Sequence, residues 1–308
     1  MFASCMFLKF FDSVKQWYAN SHFNIGVRYA KGRGVPKDYN EAIIWFRRAA
    51  EYGHGGAQLN LGTMYCLGRG LSQDFKEAEH WWRMAADQGS IEAQFNLGLM
   101  YDQGEGVPQN GEEAVTWYQK AAENGHVNAQ FMLGLMYDQG RGVQQDYSKA
   151  VMWLRKAAKR GNLGAQFNLG VMYNDGKGVL QDDKKAVKWF RKAAKRGNPG
   201  AQFNLGVMYN DGRGVSQDRK KAVKCFRRAA KRGDGYGQWF LEAVYKDGQG
   251  VPKNGREAIK WHRLAAELGN IAAQLLLVTM IKDGRGVLHD AVQARLDGQN
   301  IPPMENAP

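Results

Sequence analysis

The strongest constraint on the fold is a segment that recurs every 36 residues along the chain. One copy reads A-Q-F-N-L-G-V-M-Y-N-D-G-K-G and begins at Ala165. The eight copies begin at Ser21, Ala57, Ala93, Ala129, Ala165, Ala201, Gly237 and Ala273. A fixed period of about 20–50 residues is typical of stacked-repeat proteins, in which the core is built between neighbouring repeats. The chain therefore need not form the separate globular domains that its 308 residues would suggest.

Each repeat is predicted to fold as two helices. In the copy that begins at Ala57, the apolar residues Leu61, Met64 and Tyr65 follow at helical spacing and share one face with it. A glycine after this stretch is expected to end the first helix in the left-handed conformation. The second helix opens with an Asp or Asn and a Glu three residues later, which is the spacing of a capping box. The prediction is an all-α stack of helical hairpins.

Six of the predicted first helices contain a glycine near their middle, where each costs about 0.5–1 kcal/mol relative to alanine. The glycines are Gly26, Gly62, Gly98, Gly134, Gly170 and Gly206. Most second helices carry a tryptophan at an equivalent position: Trp45, Trp81, Trp117, Trp153, Trp189 and Trp261, with Cys225 in the sixth repeat. Burying one such ring contributes about 5 kcal/mol at about 25 cal/mol per Å². We therefore predict that the tryptophans are core residues and that the glycines allow close helix approach.

These motifs resemble a known repeat family. The patterns A-Q-x-x-L-G-x-x-Y-x-x-G-x-G-V and A-x-x-W-[FWY]-x-x-A-A-x-x-G are similar to the Sel1-like repeat, a relative of the tetratricopeptide repeat. The resemblance covers residues 21 to about 294, and it implies a right-handed α-solenoid that acts as an adaptor between proteins. A cysteine-rich branch of the family carries paired cysteines in each repeat, and this chain lacks them.

The repeat also predicts the organisation of the chain. Residues 1–20 are expected to form a degenerate N-terminal capping helix, and residues 21–294 a solenoid of seven full repeats and a partial eighth. Residues 295–308, which contain three prolines, are expected to be a disordered tail.

No motif in the sequence indicates catalysis. No nucleophile–base arrangement, metal-ligand spacing or cofactor motif is found, and the G-R-G-V loops follow helices and not strands, so we predict no catalytic, metal or cofactor site. A hydrolase site assembled across repeats, or a site for cell-wall fragments, stays a weaker alternative. No apolar run approaches the ~18 residues of a membrane span. Scattered cysteines and the absence of a basic signal region favour a cytoplasmic monomer, although export stays open if the natural start lies upstream.

The residues that helix packing does not explain predict a peptide-binding groove. By alignment with tetratricopeptide repeats, they lie on the inner surface of the solenoid. They are Asn60, Phe95, Asn96, Leu99, Asp102, Phe131, Leu135, Asp138, Phe167, Asn168, Asp175, Phe203, Asn204 and Asp211. Asparagine is a poor helix former, so amides in mid-helix need a reason. They could bind the backbone of an extended peptide or tie adjacent hairpins together by hydrogen bonds.

A second candidate surface is strongly basic. Residues 149–232 contain 22 Lys and Arg against five Asp and Glu, whereas the rest of the chain has more acidic than basic residues. The basic belt consists of Arg155, Lys156, Lys184, Lys188, Arg191, Lys192, Lys195, Lys220, Lys224, Arg227, Arg228 and Lys231. The belt could be a solvated helix face, helped by the helix dipole, or a weak non-specific site for nucleic acid, anionic lipid or an acidic protein.

Overall fold

The structure is a computed structural model, and it describes residues 2–267. In this part of the chain every regular element is an α-helix, and the helices fall into two compact units divided between Asn162 and Leu163. The first unit contains α1 (Phe2–Lys31), α2 (Tyr39–Glu51), α3 (Gly55–Leu67), α4 (Phe75–Asp87), α5 (Ile91–Gln103), α6 (Gly111–Glu123), α7 (Val127–Gln139) and α8 (Tyr147–Lys159). The second unit contains α9 (Leu163–Asp175), α10 (Asp183–Lys195), α11 (Pro199–Asp211), α12 (Arg219–Ala230), α13 (Gly235–Asp247) and α14 (Gly255–Glu267).

Successive helices pack as antiparallel hairpins. Each odd-numbered helix packs most extensively on the even-numbered helix that follows it. Within each unit, that even-numbered helix also packs on the first helix of the next hairpin. The prediction of an all-α solenoid built from helix-turn-helix repeats is thus confirmed.

The ends of the predicted solenoid need separate description. Residues 2–20 are continuous with the first helix of the first repeat, because α1 runs unbroken from Phe2 to Lys31. The side chain of Trp17 on this helix is 63% exposed. A capping role for residues 1–20 stays a prediction. The partial eighth repeat, up to residue 294, and the predicted tail at 295–308 lie outside the described residues.

The helix ends follow the predicted capping chemistry with one difference. The Asp74 carboxylate accepts hydrogen bonds from the backbone N–H groups of Lys76 and Glu77, at 2.9 and 3.1 Å. Gly68 ends α3 with φ of 61°, in the left-handed region where a side chain is disfavoured. The Glu77 carboxylate does not return to the cap residue; it accepts a hydrogen bond from Nε1 of Trp81 at 3.2 Å. The aspartate cap is confirmed, and the glutamate fixes the tryptophan instead.

The mid-helix glycines make close helix approach possible, as predicted. A Cβ atom placed on Gly62 would lie 2.5 Å from Cδ1 of Trp82, and one on Gly98 would lie 2.5 Å from Cδ1 of Tyr118. The other pairs are Gly26 with Phe46, Gly134 with Leu154, Gly170 with Phe190 and Gly206 with Phe226. At each of these positions, a side chain would therefore clash with a bulky residue of the second helix in the same hairpin.

The predicted tryptophans are not the residues that face the glycines. The facing residue is the next one along the helix, so that Trp82 and not Trp81 packs on Gly62. Trp117, Trp153 and Trp261 are buried, whereas Trp45, Trp81 and Trp189 are only half-buried. Adjacent helical residues point about 100° apart and cover neighbouring strips of the same face. The prediction that these residues lie in the core is thus wrong for Trp45, Trp81 and Trp189.

Candidate interaction surfaces

The predicted groove residues occupy equivalent positions on the first helices, and we call their aromatic, aliphatic and amide members the first-helix face. In the first unit this face comprises Asn60, Phe95, Asn96, Leu99, Phe131 and Leu135. In the second unit it comprises Phe167, Asn168, Phe203 and Asn204. All of these side chains are half-buried. Phe95 and Leu99 pack on the hydrophobic core of the first unit, and Phe203 packs on that of the second.

The amide groups on this face bond within their own helices. The side-chain Nδ2 of Asn60 donates to the carbonyl oxygen of Gly56 at 2.6 Å. Asn204 makes the same bond, four residues back, to Gly200 at 2.9 Å, and Asn168 bonds Gly164 at 2.9 Å. These three bonds do not join one hairpin to the next. They leave the amide oxygen of each asparagine as an acceptor on a half-buried surface.

The phenylalanines of the face pack against neighbouring rings. The ring centroid of Phe95 lies 4.3 Å from that of His126, the N-cap residue of the next first helix. In the second unit, the ring of Phe203 lies 5.8 Å from that of Phe226 and 5.4 Å from that of Phe240. One side of each ring therefore holds the repeats together, and part of the remainder is open to solvent.

The four predicted groove acids have different environments. Asp102 is only 8% exposed, and its Oδ1 lies 2.6 Å from Nη1 of Arg141 in the following repeat. Burial, and then the negative charge of Asp102, raise the pKa of the Tyr118 hydroxyl. Asp102 is thus engaged in an internal ion pair. Asp175 and Asp211 are exposed, and Asp138 is half-buried.

A row of buried glutamines joins the hairpins and was not singled out from the sequence. In the first unit, Nε2 of Gln94 donates to the carbonyl of Ala86 at 3.3 Å. In the second unit, Nε2 of Gln202 donates to the carbonyl of Ala194 at 3.1 Å. Both glutamines have less than 10% of their surface exposed. The A-Q dipeptide, present in six of the eight copies of the repeat, was the available signal, since a buried amide at a fixed position needs a fixed partner.

At least four of the twelve cations of the basic belt contact aromatic side chains. Nζ of Lys156 lies 4.0 Å from the ring centroid of Trp153, and Nζ of Lys192 lies 4.5 Å from that of Trp189. Arg191 donates from Nη2 to the Tyr209 hydroxyl at 2.9 Å, and Arg227 makes the equivalent bond to Tyr245. Cation–π contacts at exposed sites contribute about 0.5–1 kcal/mol each. This part of the belt has a structural role that the sequence analysis did not anticipate.

The other belt residues are exposed to solvent. They are Arg155, Lys184, Lys188, Lys195, Lys220, Lys224, Arg228 and Lys231. Lys188 and Lys224 make no ion pair or side-chain hydrogen bond with any side chain that the structure describes, and they occupy equivalent positions on α10 and α12. These lysines are the part of the belt that is available to an anionic partner.

Cysteine thiols and histidine imidazoles also lie within the described repeats. Cys66 and Cys225 are free and half-buried, and burial raises the pKa of both thiols. Nδ1 of His54 and of His126 accepts the backbone N–H of Ala57 and Ala129, respectively, at 3.1 Å, so both imidazoles are N-caps. Among the side chains that the structure describes, no three His, Cys, Asp or Glu residues are grouped as a metal site requires. Likewise, no described helix has the length and apolar character needed to cross a membrane.

Comparison with known proteins gives one family. The Sel1 repeat model matches residues 19–54, 56–90, 91–126, 127–162, 164–198, 199–234 and 237–270. The comparison with curated proteins gave no match.

Two solved structures are similar to the chain along most of its length. The first is c5321, a protective antigen present in uropathogenic Escherichia coli strains and displaying an SLR fold. It is 38% identical, with a TM-score of 0.82, over 87% of this chain and 58% of c5321. The second is a Sel1 repeat protein from Oxalobacter formigenes, which is 36% identical, with a TM-score of 0.69, over 85% of this chain and 76% of that one. The chain thus spans little more than half of c5321.

Proposed function

Because the chain belongs to the Sel1 repeat family, whose members generally act as protein–protein interaction scaffolds, we propose that it is a non-catalytic scaffold that binds a protein or peptide along its first-helix face. The observation that carries this proposal is the state of the asparagines. In the described part of the chain, the side-chain oxygens of Asn60, Asn168 and Asn204 accept no hydrogen bond, while their NH₂ groups are anchored to their own helices. Anchored amides hold their acceptor oxygens in place.

The surroundings of these oxygens suit an extended peptide. An extended chain presents backbone N–H donors at regular intervals, and such donors bond well to fixed acceptors. Next to the asparagines, the half-buried rings of Phe167 and Phe203 offer apolar surface for side chains of the peptide. Exposed Asp211 at the end of α11 would favour a basic residue in the bound segment, whereas Asp175 at the end of α9 already lies 3.8 Å from Nζ of Lys177.

The test uses peptides selected from a random library on the intact protein. Their affinity is measured by fluorescence anisotropy for the wild type and for two double variants. The variant Asn168→Ala with Asn204→Ala removes two acceptors, and we expect affinity to fall about tenfold, the equivalent of roughly one hydrogen bond. The control, Lys188→Ala with Lys224→Ala on the second helices, should bind as the wild type does. If the control loses affinity and the asparagine variant keeps it, the first-helix face is not the binding surface.

The exposed lysines support a second candidate function, the binding of an anionic partner by the basic belt. Lys184 and Lys188 recur as Lys220 and Lys224 on equivalent, solvent-exposed turns. A phosphate backbone would bind such a surface without sequence preference, and the logarithm of the affinity would fall with the logarithm of the salt concentration at about −0.9 per contacted phosphate. Replacing these four lysines with glutamate should abolish retention on duplex DNA. Equal retention of wild type and variant would exclude this function.

A further inference from the structure

The second unit contains a cavity between the C-terminal ends of α10 and α12. Its volume is about 620 Å³, and four of the residues that line it are cationic: Lys195, Arg228, Lys231 and Arg232. Gly197 and Gln202 form part of its wall. The volume lies within the range of small-molecule sites, about 300–1,000 Å³, but the cavity is open to solvent and all four cationic residues are exposed. We call it the cation-lined cavity.

The positive charge of this cavity is not balanced by the protein. None of the residues that line it is acidic. In the described part of the chain, none of the four cationic side chains makes an ion pair, a cation–π contact or a side-chain hydrogen bond. The equivalent arginine of the fourth repeat, Arg160, by contrast donates from Nη1 to the carbonyl of Gly125. Four unpaired cations around one cavity repel each other, and an anion between them would relieve that repulsion.

One departure from the repeat pattern accounts for the position of Arg228. In the fifth repeat, the equivalent Lys192 lies over the ring of Trp189, three residues before it. In the sixth repeat, the tryptophan position holds Cys225, so that Arg228 has no ring three residues before it to lie over. Arg228 lines the cavity instead. The loss of one aromatic ring therefore supplies one free cation to the site.

The guanidinium of Arg232 packs on Gly197 in the wall of the cavity. A Cβ atom placed on Gly197 would lie 2.7 Å from Cζ and Nη1 of Arg232, so the guanidinium group packs directly on the backbone of the turn after α10. Gly197 has φ of 91°. The side-chain oxygen of Gln202 is unpartnered, but so are those of Gln94 and Gln130 outside the cavity, so this feature does not distinguish the site.

We propose that the cation-lined cavity binds a small polyanion that carries two phosphoryl groups. Four cations match the charge of such a ligand, since one phosphoryl monoester carries about −1.5 to −2 at pH 7. The planar guanidiniums of Arg228 and Arg232 can each bind two phosphoryl oxygens, whereas Lys195 and Lys231 provide compact point charges. A single carboxylate carries too little charge to balance the site. The proposal does not depend on peptide binding at the first-helix face.

The test is a calorimetric titration of the full chain with inorganic pyrophosphate, at fixed pH and ionic strength. We expect saturable binding at one site by the wild type. The variant Arg228→Gln with Arg232→Gln should weaken it by about tenfold or more, because two charge-assisted contacts are lost. The control, Lys188→Gln with Lys224→Gln, removes the same amount of charge from α10 and α12 but outside the cavity, and its affinity should change less than about twofold. Circular dichroism melting checks that both variants are folded.

Two results would overturn the proposal. If the control variant loses as much affinity as the arginine variant, the interaction is diffuse attraction to the basic belt and not a site. If the wild type shows no saturable heat, or binds hexaglutamate more tightly than pyrophosphate, the cavity is not a phosphoryl site. Vesicles with and without diacylglycerol pyrophosphate, a lipid that carries two phosphoryl groups, then separate the two sources of the ligand. Arginine-dependent retention on the vesicles that contain this lipid assigns a lipid headgroup, and free pyrophosphate binding without retention assigns a soluble ligand.

A third variant tests the role of the cysteine. Cys225→Trp restores the ring found in the other repeats, and Arg228 is expected to move over it as Lys192 lies over Trp189. Pyrophosphate affinity should then fall about threefold or more through the loss of one cation from the cavity. Unchanged affinity in a folded Cys225→Trp variant would overturn the assignment of Arg228 to the site.

Discussion

Replacement of Gly62 by alanine tests whether the mid-helix glycines are required by packing. Alanine is favoured over glycine by about 0.5–1 kcal/mol in a helix, so propensity alone predicts a more stable protein. The structure predicts the opposite. The new Cβ would lie 2.5 Å from Cδ1 and 2.6 Å from Nε1 of Trp82, well inside van der Waals contact. The indole is 5% exposed and donates from Nε1 to the carbonyl of Leu59 at 3.3 Å, so the ring is held in place.

The magnitude follows from these two opposing effects. Overpacking of a buried contact costs about 1–3 kcal/mol. After subtraction of the gain in propensity, we expect Gly62→Ala to lower the free energy of unfolding by about 0.5–2 kcal/mol. Urea unfolding followed by circular dichroism at 222 nm measures this difference.

The same helix provides the control. Gly55 is the first residue of α3, and the nearest atom to a Cβ there would be Oε1 of Gln88 at 3.4 Å, which is an ordinary van der Waals contact. Gly55→Ala should be neutral or slightly stabilising. Gly170→Ala, opposite Phe190, should destabilise as Gly62→Ala does, because the corresponding distance is 2.6 Å. If Gly62→Ala and Gly170→Ala were as stable as Gly55→Ala, the close helix approach would not require glycine, and this account of the repeat core would be refuted.

Three further predictions concern caps and amides. Burial lowers the pKa of His54, whose neutral Nδ1 caps α3. The stabilisation that this cap gives is therefore present above the unfolded pKa of about 6.5 and is lost as the pH falls through the folded pKa. Thermal melting between pH 7 and 5 should show a stability loss of up to about 1 kcal/mol that His54→Asn lacks. The pKa of Asp182 is lowered by the backbone N–H of Lys185 and then by the Lys185 ammonium group. The stabilisation by the Asp182 carboxylate is therefore present above about pH 3.9 and is lost as the pH falls through the folded pKa. The melting temperature of Asp182→Asn should depend less on pH in acid than that of the wild type, and an equal dependence would argue against the cap. Asn168→Ala with Asn204→Ala should leave the melting temperature equal or slightly higher, because alanine is the better helix former, and a loss of several degrees would assign these amides a structural role.

The sequence predicted the hairpins because their signals are local. Helical spacing, an Asp74-type cap and a left-handed glycine such as Gly68 act within a few residues of the chain, and the 36-residue period multiplies them. The same pattern could not decide which of two adjacent aromatic residues faces the partner helix. Trp81 and Trp82 both lie on the apolar side of α4, and only the packed hairpin shows that Trp82 meets Gly62.

The candidate surfaces were predictable in composition but not in their contacts. The basic belt was visible in the sequence as an excess of positive charge. Which of its cations lie over an aromatic ring, as Lys192 does, and which do not, as with Arg228, depends on the positions of the side chains in the folded protein. The substitution at Cys225 was recorded in the sequence as an exception in the core. Its consequence for Arg228 requires the three-dimensional arrangement of the helix ends, because the cavity is formed by residues of two successive repeats.

The central claim is that partner peptides bind on the first-helix face, and photo-crosslinking tests it most directly. A photoreactive p-benzoylphenylalanine replaces either Phe203 on α11 or, as a control, Lys224 on α12, and each protein is irradiated with the tightest library-selected peptide. If peptides bind on the first-helix face, position 203 should give a crosslinked adduct that excess unlabelled peptide competes away, and position 224 should give no adduct. A competed adduct from position 224, with none from position 203, would contradict it.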